Sequence, residues 1–322
     1  MPALGANPMT TLPQGLGPAA FDDLHDRPAA WRDAIESLAR DLGPWAEGDP
    51  ARVHQQSEGT ALVALLGADR VLKLYPPFLA DHCLFERAML ERLHGRLAVP
   101  TPRLLHSGER DGWPFTVMTQ LHGGVPLSSL WPAMAEPARL KLLRSLGELT
   151  VEVHALPVDG AIAALAPPWD AFIAGQRRRC LARQQRTGLP AHLLAKVEAF
   201  VDAGPVPAGA PVLLTGEYTP MNLFARPTGE LAAMFDFGDG LVGPRQYDWL
   251  GPLAFRAAGS AARTAAFMAG VGVALTEALR EQLLRLLLLH RYSHLPLQLK
   301  SCPGWERAAS FEELAARLWP LA

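Results

Sequence analysis

Leu214-Thr215-Gly216-Glu217-Tyr218-Thr219-Pro220-Met221-Asn222 is followed, after a turn at Pro227-Thr228-Gly229, by Met234-Phe235-Asp236-Phe237-Gly238-Asp239. Apolar runs at Val212 to Leu214, Leu223 to Ala225 and Leu231 to Phe235 read as short strands around these loops. An acid, Glu217, and an amide, Asn222, therefore share one loop. A second acid, Asp236, closes the next strand, where the backbone turns at glycine. Phosphoryl transfer needs these parts: a carboxylate to orient a hydroxyl and take its proton, and an amide with a second carboxylate to hold magnesium against phosphates. Magnesium favours oxygen ligands and keeps several waters, so two protein ligands suffice. Asp-Phe-Gly alone reads equally well as a turn after a strand. The specific signal is the order: acid, four residues, Asn, hairpin, Asp-Phe-Gly.

On the N-terminal side, Lys73 lies in Arg70-Val71-Leu72-Lys73-Leu74-Tyr75, a strand with apolar neighbours. A lysine there suits nucleotide phosphates and needs an acid to fix it. Glu86, on the helix read from about Leu79 to Leu93, shares a face with Leu90 and Leu93 and points inward. Glu91 is the rival, and an ordinary solvated Lys and Glu are the bland alternative. Strands are also expected at 52–54, 61–66, 71–74, 103–106 and 114–119, with a helix over 28–43. Beyond His122-Gly123-Gly124 the pattern turns helical, with helices over 133–155, 168–186, 190–202, 249–271, 275–293 and 311–319. The expected fold is α+β, with two lobes. Residues 1–20, rich in Pro, Gly and Ala, read as a flexible arm, 21–122 as a small β-rich N-lobe, and 123–322 as a mostly helical C-lobe.

The 322 residues are 49% hydrophobic and 19% charged, with a formal net charge of −2. That supplies a large core and lacks the basic excess that drives phosphate-backbone binding, so no nucleic-acid partner is expected. No run is long enough to span a membrane; Leu283 to Leu289 is interrupted by Arg285. The N-terminal segment lacks the basic start and apolar stretch of a signal peptide. Cys83, Cys180 and Cys302 have no metal-ligand spacing and read as reduced packing residues of a cytoplasmic protein.

Further stretches carry a resemblance. Val71-Leu72-Lys73-Leu74, Glu86 with Leu90 and Leu93, Val99-Pro100-Thr101-Pro102-Arg103-Leu104-Leu105 and Val117-Met118 join Val153-His154, Gly216 to Asn222, Asp236 and Gly243-Pro244-Arg245-Gln246-Tyr247-Asp248. Together they resemble the aminoglycoside phosphotransferases, a family of protein-kinase-like fold, over roughly residues 30–320. The tail, Leu289-His290-Arg291-Tyr292 through Phe311-Glu312-Glu313-Leu314-Ala315 to Leu318-Trp319-Pro320, is similar to the hygromycin B 7″-O-phosphotransferase type. The resemblance implies a kinase that uses ATP or GTP with magnesium to phosphorylate a hydroxyl of a small molecule, as a monomer or homodimer. It implies that Lys73, oriented by Glu86, holds the nucleotide phosphates, that Met118 backs the adenine pocket, and that backbone groups near Thr119 and Leu121 meet the base. Asn222 and Asp236 would hold magnesium, Glu217 would be the catalytic acid–base group, and Asp248 would anchor the loop. Ser57-Glu58-Gly59-Thr60 would cover the phosphates.

The family's usual His-Gly-Asp is Thr215-Gly216-Glu217 here. The extra methylene shifts the carboxylate, and a displacement of about 1 Å costs on the order of a hundredfold in rate. The carboxylate chemistry is retained, and Tyr218-Thr219-Pro220 gives the loop an unusual form that could compensate. The expected acceptor is an aminoglycoside or aminocyclitol such as hygromycin B; the alternatives are a kinase of a sugar or amino-alcohol metabolite and a catalytically weak nucleotide-binding module. Arg177-Arg178-Arg179 reads as a solvated face, and His290 and His294, which lack a third metal ligand, as ordinary surface or packing histidines. Asp239 reads either as reaching metal or acceptor, or as capping its turn. Asp170, Asp239, Glu281, Glu306 and Glu312 are the acids available to a cationic acceptor.

Overall fold

The structure, a computed structural model, describes residues 11–43, 52–54, 59–216 and 218–321, with only the backbone path given for 52–54. The chain divides into two units, Met1–Arg96 with Pro100–His122, and Leu97–Val99 with Gly123–Ala322.

The first unit is built on five antiparallel strands: β1 Arg52–His54, β2 Leu62–Leu66, β3 Arg70–Leu74, β4 Leu104–Arg110 and β5 Trp113–Thr119, in the order β1-β2-β3-β5-β4. Helices α1 (Pro18–His25) and α2 (Pro28–Asp41) precede them, and α3 (Ala80–Leu93) follows β3. Alternation along the strands sorts the side chains. Leu72, Leu74, Trp113, Phe115 and Val117 share one core with Phe21, Leu24, Trp31, Ile35 and Leu38 of α1 and α2. The intervening positions, Val71, Lys73, Thr116 and Met118, belong to the opposite face; Lys73 pairs with Thr116, and Val71 with Met118.

The expected loose arm over 1–20 is corrected where it is described. Leu12 is buried; its N–H donates to Asp111 Oδ2 at 3.0 Å. Trp113 Nε1 donates to the Pro13 carbonyl at 2.9 Å. Pro18 then opens α1 at a position where its missing N–H costs nothing. Residues 1–10 lie outside the described residues.

The second unit starts with β6 (Val125–Pro126), α4 (Leu127–Leu130) and the long α5 (Glu136–His154). Helices α6 (Gly160–Leu165), α7 (Trp169–Arg186), α8 (Ala191–Leu194) and α9 (Val197–Asp202) lead to β7 (Val212–Leu214), β8 (Leu223–Ala225), β9 (Leu231–Met234) and β10 (Leu241–Gly243). The strands form two small antiparallel sheets, β6-β8-β9 and β10-β7. Helices α10 (Gln246–Pro252), α11 (Ala261–Val271), α12 (Glu277–Leu288), α13 (Leu295–Gln298) and α14 (Phe311–Leu318) complete it.

Three of the expected long helices are broken. Residues 190–202 split into α8 and α9, and 249–271 pass through a π-turn at Leu253–Ala257 before α11. The segment 275–293 ends its helix at Leu288. Strands β6 and β10 add to the three expected here. Cys83, Cys180 and Cys302 are buried free thiols, and burial pushes those of Cys83 and Cys180 up to about 11. Among the described residues, no helix is long and apolar enough to cross a membrane.

Candidate active site

In the first unit, β3 delivers Lys73 and α3 delivers Glu86. The Lys73 ammonium lies 3.2 Å from Glu86 Oε1 and 3.1 Å from Oε2. Their relative exposures are 7% and 1%, so the charges are shielded from water. The ammonium also sits 5.1 Å from the Tyr75 ring centroid. Of the two acids weighed for this role, Glu86 is the partner; Glu91 is exposed. Met118 is buried. Thr119 is half-buried, and its N–H already donates to the Arg103 carbonyl at 3.0 Å while its hydroxyl accepts from the Arg103 N–H at 2.9 Å. Any base contact from Thr119 must therefore use another group. Leu121 is half-buried beyond the end of β5. Of the expected phosphate-covering loop, Ser57 and Glu58 lie outside the described residues.

In the second unit the organising group is Asp248, in the first turn of α10 and 2% exposed. Its Oδ2 accepts from the Thr215 N–H at 3.0 Å, and its Oδ1 from the Gly216 N–H at 3.1 Å and the Thr215 hydroxyl at 3.2 Å. His154, closing α5, brings Nε2 within 3.1 Å of Oδ2. One buried carboxylate thus fixes the backbone where β7 ends and the Glu217 loop begins. Charge-assisted bonds to backbone N–H groups are among the stronger hydrogen bonds available. Glu217 itself lies outside the described residues.

Gly216 is required by geometry. Its φ is +81°, and a Cβ there would come within 2.0 Å of the Asp239 carbonyl oxygen. This close approach clamps the start of one loop to the turn after Asp236. Past Glu217, Tyr218, Thr219 and Pro220 turn inward and are buried. The Tyr218 carbonyl packs where a Cβ on Gly251 of α10 would sit, 2.5 Å away. Burial, with the Asp248 charge nearby, pushes the Tyr218 phenol well above its usual range.

The Asn222 N–H closes a turn onto the Thr219 carbonyl at 3.1 Å, and the Phe235 N–H donates to the Asn222 carbonyl at 3.1 Å. That bond, with the pairing of Leu223 and Met234, sets Asn222 and Asp236 at adjoining ends of β8 and β9. Asn222 is 8% exposed. Asp236 has φ +67°, a left-handed conformation that a non-glycine residue holds at a cost and that gathers at functional sites. Among the described residues no group of three His, Cys, Asp or Glu side chains could hold a metal. An amide oxygen and a carboxylate fit magnesium, which takes hard oxygen donors and completes its shell with phosphate and water.

Asp239, 6% exposed, is held from far along the chain. Arg291 Nη1 donates to its Oδ1 at 2.9 Å and the Tyr292 hydroxyl at 2.8 Å. Both lie just past the end of α12, with His290. The His290 ring stacks on Tyr247 at 4.6 Å and 21°; its Nδ1 accepts from the Tyr292 N–H at 3.2 Å. Burial and the neighbouring Arg291 push the ring down to about 3, against an opposing hydrogen bond to the Gly216 backbone. Nδ1 thus acts as an acceptor, while the other ring nitrogen faces the Gly216 backbone. Arg183 of α7 donates to the His290 carbonyl, and Tyr247 accepts the Arg291 N–H at 3.2 Å.

Of the two readings of Asp239, its bonds to Arg291 and Tyr292 favour tying down the turn. The arginine run is likewise partly structural, since Arg177 bonds the Val201 carbonyl and Asp202. His294 caps α13 by accepting the Leu297 N–H. The contacts of Arg291, Tyr292 and His290 were not readable from the sequence, where this segment stood out only through the likeness of the tail.

Comparison with known proteins places this geometry in context. Residues 50–284 match the phosphotransferase enzyme family (APH). The GDP complex of wild-type aminoglycoside 2'-phosphotransferase-IIIa superposes with a TM-score of 0.65 at 20% identity, over 88% of this chain and 98% of that one. A streptomycin–ATP complex of APH(2")-IIa gives 0.62 at 15% identity, over 86% and 97%. Macrolide 2'-phosphotransferase MphH from Brachybacterium faecium gives 0.58 at 22% identity, over 91% and 99%. The fold is the kinase-like one, with a small sheet-based N-lobe and a helical C-lobe.

Proposed function

Because this chain belongs to the phosphotransferase enzyme family, we propose that it moves the γ-phosphate of ATP or GTP to a hydroxyl of an aminoglycoside or aminocyclitol, hygromycin B among them. Lys73, steadied by Glu86, holds the nucleotide phosphates; Met118 backs the base, and backbone near Thr119 and Leu121 meets its edge. Asn222 and Asp236 hold magnesium, which neutralises charge on the phosphates. Glu217 orients the acceptor hydroxyl and takes its proton as the oxygen attacks phosphorus. Little covalent work falls to the protein in such a reaction, so positioning and electrostatics carry the rate.

The observation that supports this most is the Asp248 network. It fixes the two backbone amides that lead into Glu217, while Gly216 clamps the same point to the turn after Asp236. A loop held at this level suits a catalytic carboxylate better than a relic. Tyr218 adds weight: buried against α10, it gives the loop a second anchor just past Glu217, where the longer side chain needs compensation.

A second reading of the acceptor has its own support. Asp239, one of the acids available to a polycation, is already paired with Arg291. A less cationic acceptor, such as a sugar or an amino alcohol, fits that pairing.

The test is nucleoside-diphosphate release with ATP or GTP, magnesium and a panel of aminoglycosides, hygromycin B, sugars and amino alcohols. Release should depend on one acceptor class and collapse in Asp236→Ala and Glu217→Gln. Failure of magnesium–nucleotide to bind would sink the proposal. Binding without turnover on any acceptor would point to a weak, non-catalytic module, and a gain of turnover in Glu217→Asp would identify the lost base.

A further inference from the structure

Away from the residues assigned above, Trp131 sits in the turn after α4 surrounded by cations. The guanidinium carbons of Arg139, Arg256 and Arg263 lie 5.2, 5.2 and 5.5 Å from the ring centroid. An indole has two electron-rich faces and an electropositive edge. Three cations therefore cannot each have a face to themselves, and crowding must be offset by negative charge.

Only one carboxylate meets them among the described residues. Glu136 binds Arg263 through Nε at 2.7 Å and Nη2 at 2.6 Å, and takes Arg139 Nη1 at 3.3 Å. Arg139 Nη2 is spent on the Trp131 and Pro132 carbonyls, at 3.0 and 3.1 Å. Arg256 has no acid partner there; its Nη1 finds the Phe255 carbonyl at 3.4 Å, a long and weak contact. The Nε atoms of Arg139 and Arg256 are both buried with no hydrogen-bond partner among the described residues. A buried donor left unpaired is costly. Burial and the neighbouring Arg139 push the Arg256 guanidinium down to about 10, as expected where positive charge is under-compensated. Arg256 also stands on the π-turn Leu253–Ala257, an irregularity often found at functional positions. The cluster remains reachable, since the side chains of Arg139 and Arg263 keep 19% and 17% of their exposure.

We propose that Arg139, Arg256 and Arg263, gathered around Trp131, form a binding site for a compact oxyanion of the phosphate type, free or at the end of a small metabolite. Planar guanidinium forks match such oxygens in geometry and charge. Glu136 is the internal competitor that occupies part of the same donor set. The site rests on no part of the phosphoryl-transfer reading.

The experiment uses the full chain. Inorganic phosphate and glucose 6-phosphate are titrated separately at constant ionic strength, with binding read by calorimetry and by thermal midpoint. Both should saturate at one site if the free ion suffices; saturation by glucose 6-phosphate alone assigns the metabolite source. Arg256→Gln should weaken binding about tenfold, the worth of one charge-assisted hydrogen bond, with Arg263→Gln as a second, more exposed loss. Glu136→Gln should tighten binding by freeing the donors it holds. Arg178→Gln, on the exposed face of α7, should leave it unchanged. Absence of saturation, binding that survives Arg256→Gln and Arg263→Gln, or an equal loss in Arg178→Gln would each overturn the site.

Discussion

Lys73 with Glu86 and Asp248 with its partners both hold buried charge, but by different means. The first is a pair of side chains, one from a strand and one from a helix, with the ammonium 3.1 Å from a carboxylate oxygen. The second is one side chain serving backbone: two amide N–H groups, a hydroxyl and a histidine ring converge on a single carboxylate. A side-chain pair can be replaced as a pair, because both members are encoded. Backbone amides cannot be replaced, so the carboxylate that serves them has no substitute. The lesson concerns tolerance: removal of one group from each region should look alike, and the attempt to compensate should not.

Asp248→Ala is expected to give the largest effect. It strands the Thr215 and Gly216 N–H groups, and loss of a buried charged partner costs about 3–5 kcal/mol. Denaturant titration should show this drop, and phosphotransfer should fall with it because the Glu217 loop loses its anchor. No second substitution at Thr215 or His154 should restore either property. Recovery of stability by an apolar pair at 248 and 215 would break the comparison.

Lys73→Met should cost nearly as much, about 3 kcal/mol, because it leaves the Glu86 carboxyl buried without its cation. Here the compensating change should work. Lys73→Met with Glu86→Leu should return stability to within about 1 kcal/mol of the parent, as apolar replacements of buried ion pairs commonly do. Turnover should stay down in both. Stability and activity thus separate in the first unit and stay joined in the second. A double variant as unstable as the single one would erase that distinction.

The same contrast governs what the sequence disclosed. Lys73 was legible because strand alternation gives its face and helical spacing gives that of Glu86. Glu86 over Glu91 follows from one turn of helix. Asn222 and Asp236 were legible because a hairpin shorter than fifteen residues joins them. Asp248 entered only through a resemblance, since nothing local shows that its oxygens face backbone amides more than thirty residues away. Arg291 and Tyr292 were harder still. The apolar run Leu286 to Leu289 favours continued helix, and the pattern over 275–293 reads as one element. The chain leaves the helix after Leu288, where Arg183 takes the His290 carbonyl and Tyr247 takes the Arg291 N–H. Tertiary partners there override periodicity. Residues 11–20 were misread for a related reason: composition argued for a loose arm, while Leu12 and the Pro13 carbonyl found partners about a hundred positions away.

A smaller effect sharpens the comparison inside the second unit. Asp239 takes one bond from Arg291 and one from the more exposed Tyr292. Tyr292→Phe deletes a single hydrogen bond and should cost about 1 kcal/mol. Arg291→Gln removes the countercharge and should cost more. If this contact positions the turn after Asp236, kcat should fall up to about tenfold in Arg291→Gln while nucleotide affinity holds. A parallel rise in KM for nucleotide with kcat intact would place Asp239 outside catalytic positioning.

The effect that shows only in acid is a pH dependence, and it tests whether His290 serves the loop as a neutral ring. Burial lowers this histidine from 6.5 to about 3, so between those values the unfolded chain binds a proton that the folded chain refuses. Stability must then rise with pH across that window. Its contribution is fully present above about pH 6.5 and drains away as pH falls towards 3. Denaturation midpoints measured from pH 7 to pH 4 should decline, and His290→Gln should flatten part of the slope, because glutamine accepts no proton there. The hydrogen bonds to the Tyr292 N–H and the Gly216 backbone are ones glutamine can partly replace, so the variant should lose less at pH 7 than Asp248→Ala. If the slope is unchanged in His290→Gln, acid sensitivity lies elsewhere, and the ring is packing for Tyr247 more than a brace for Gly216.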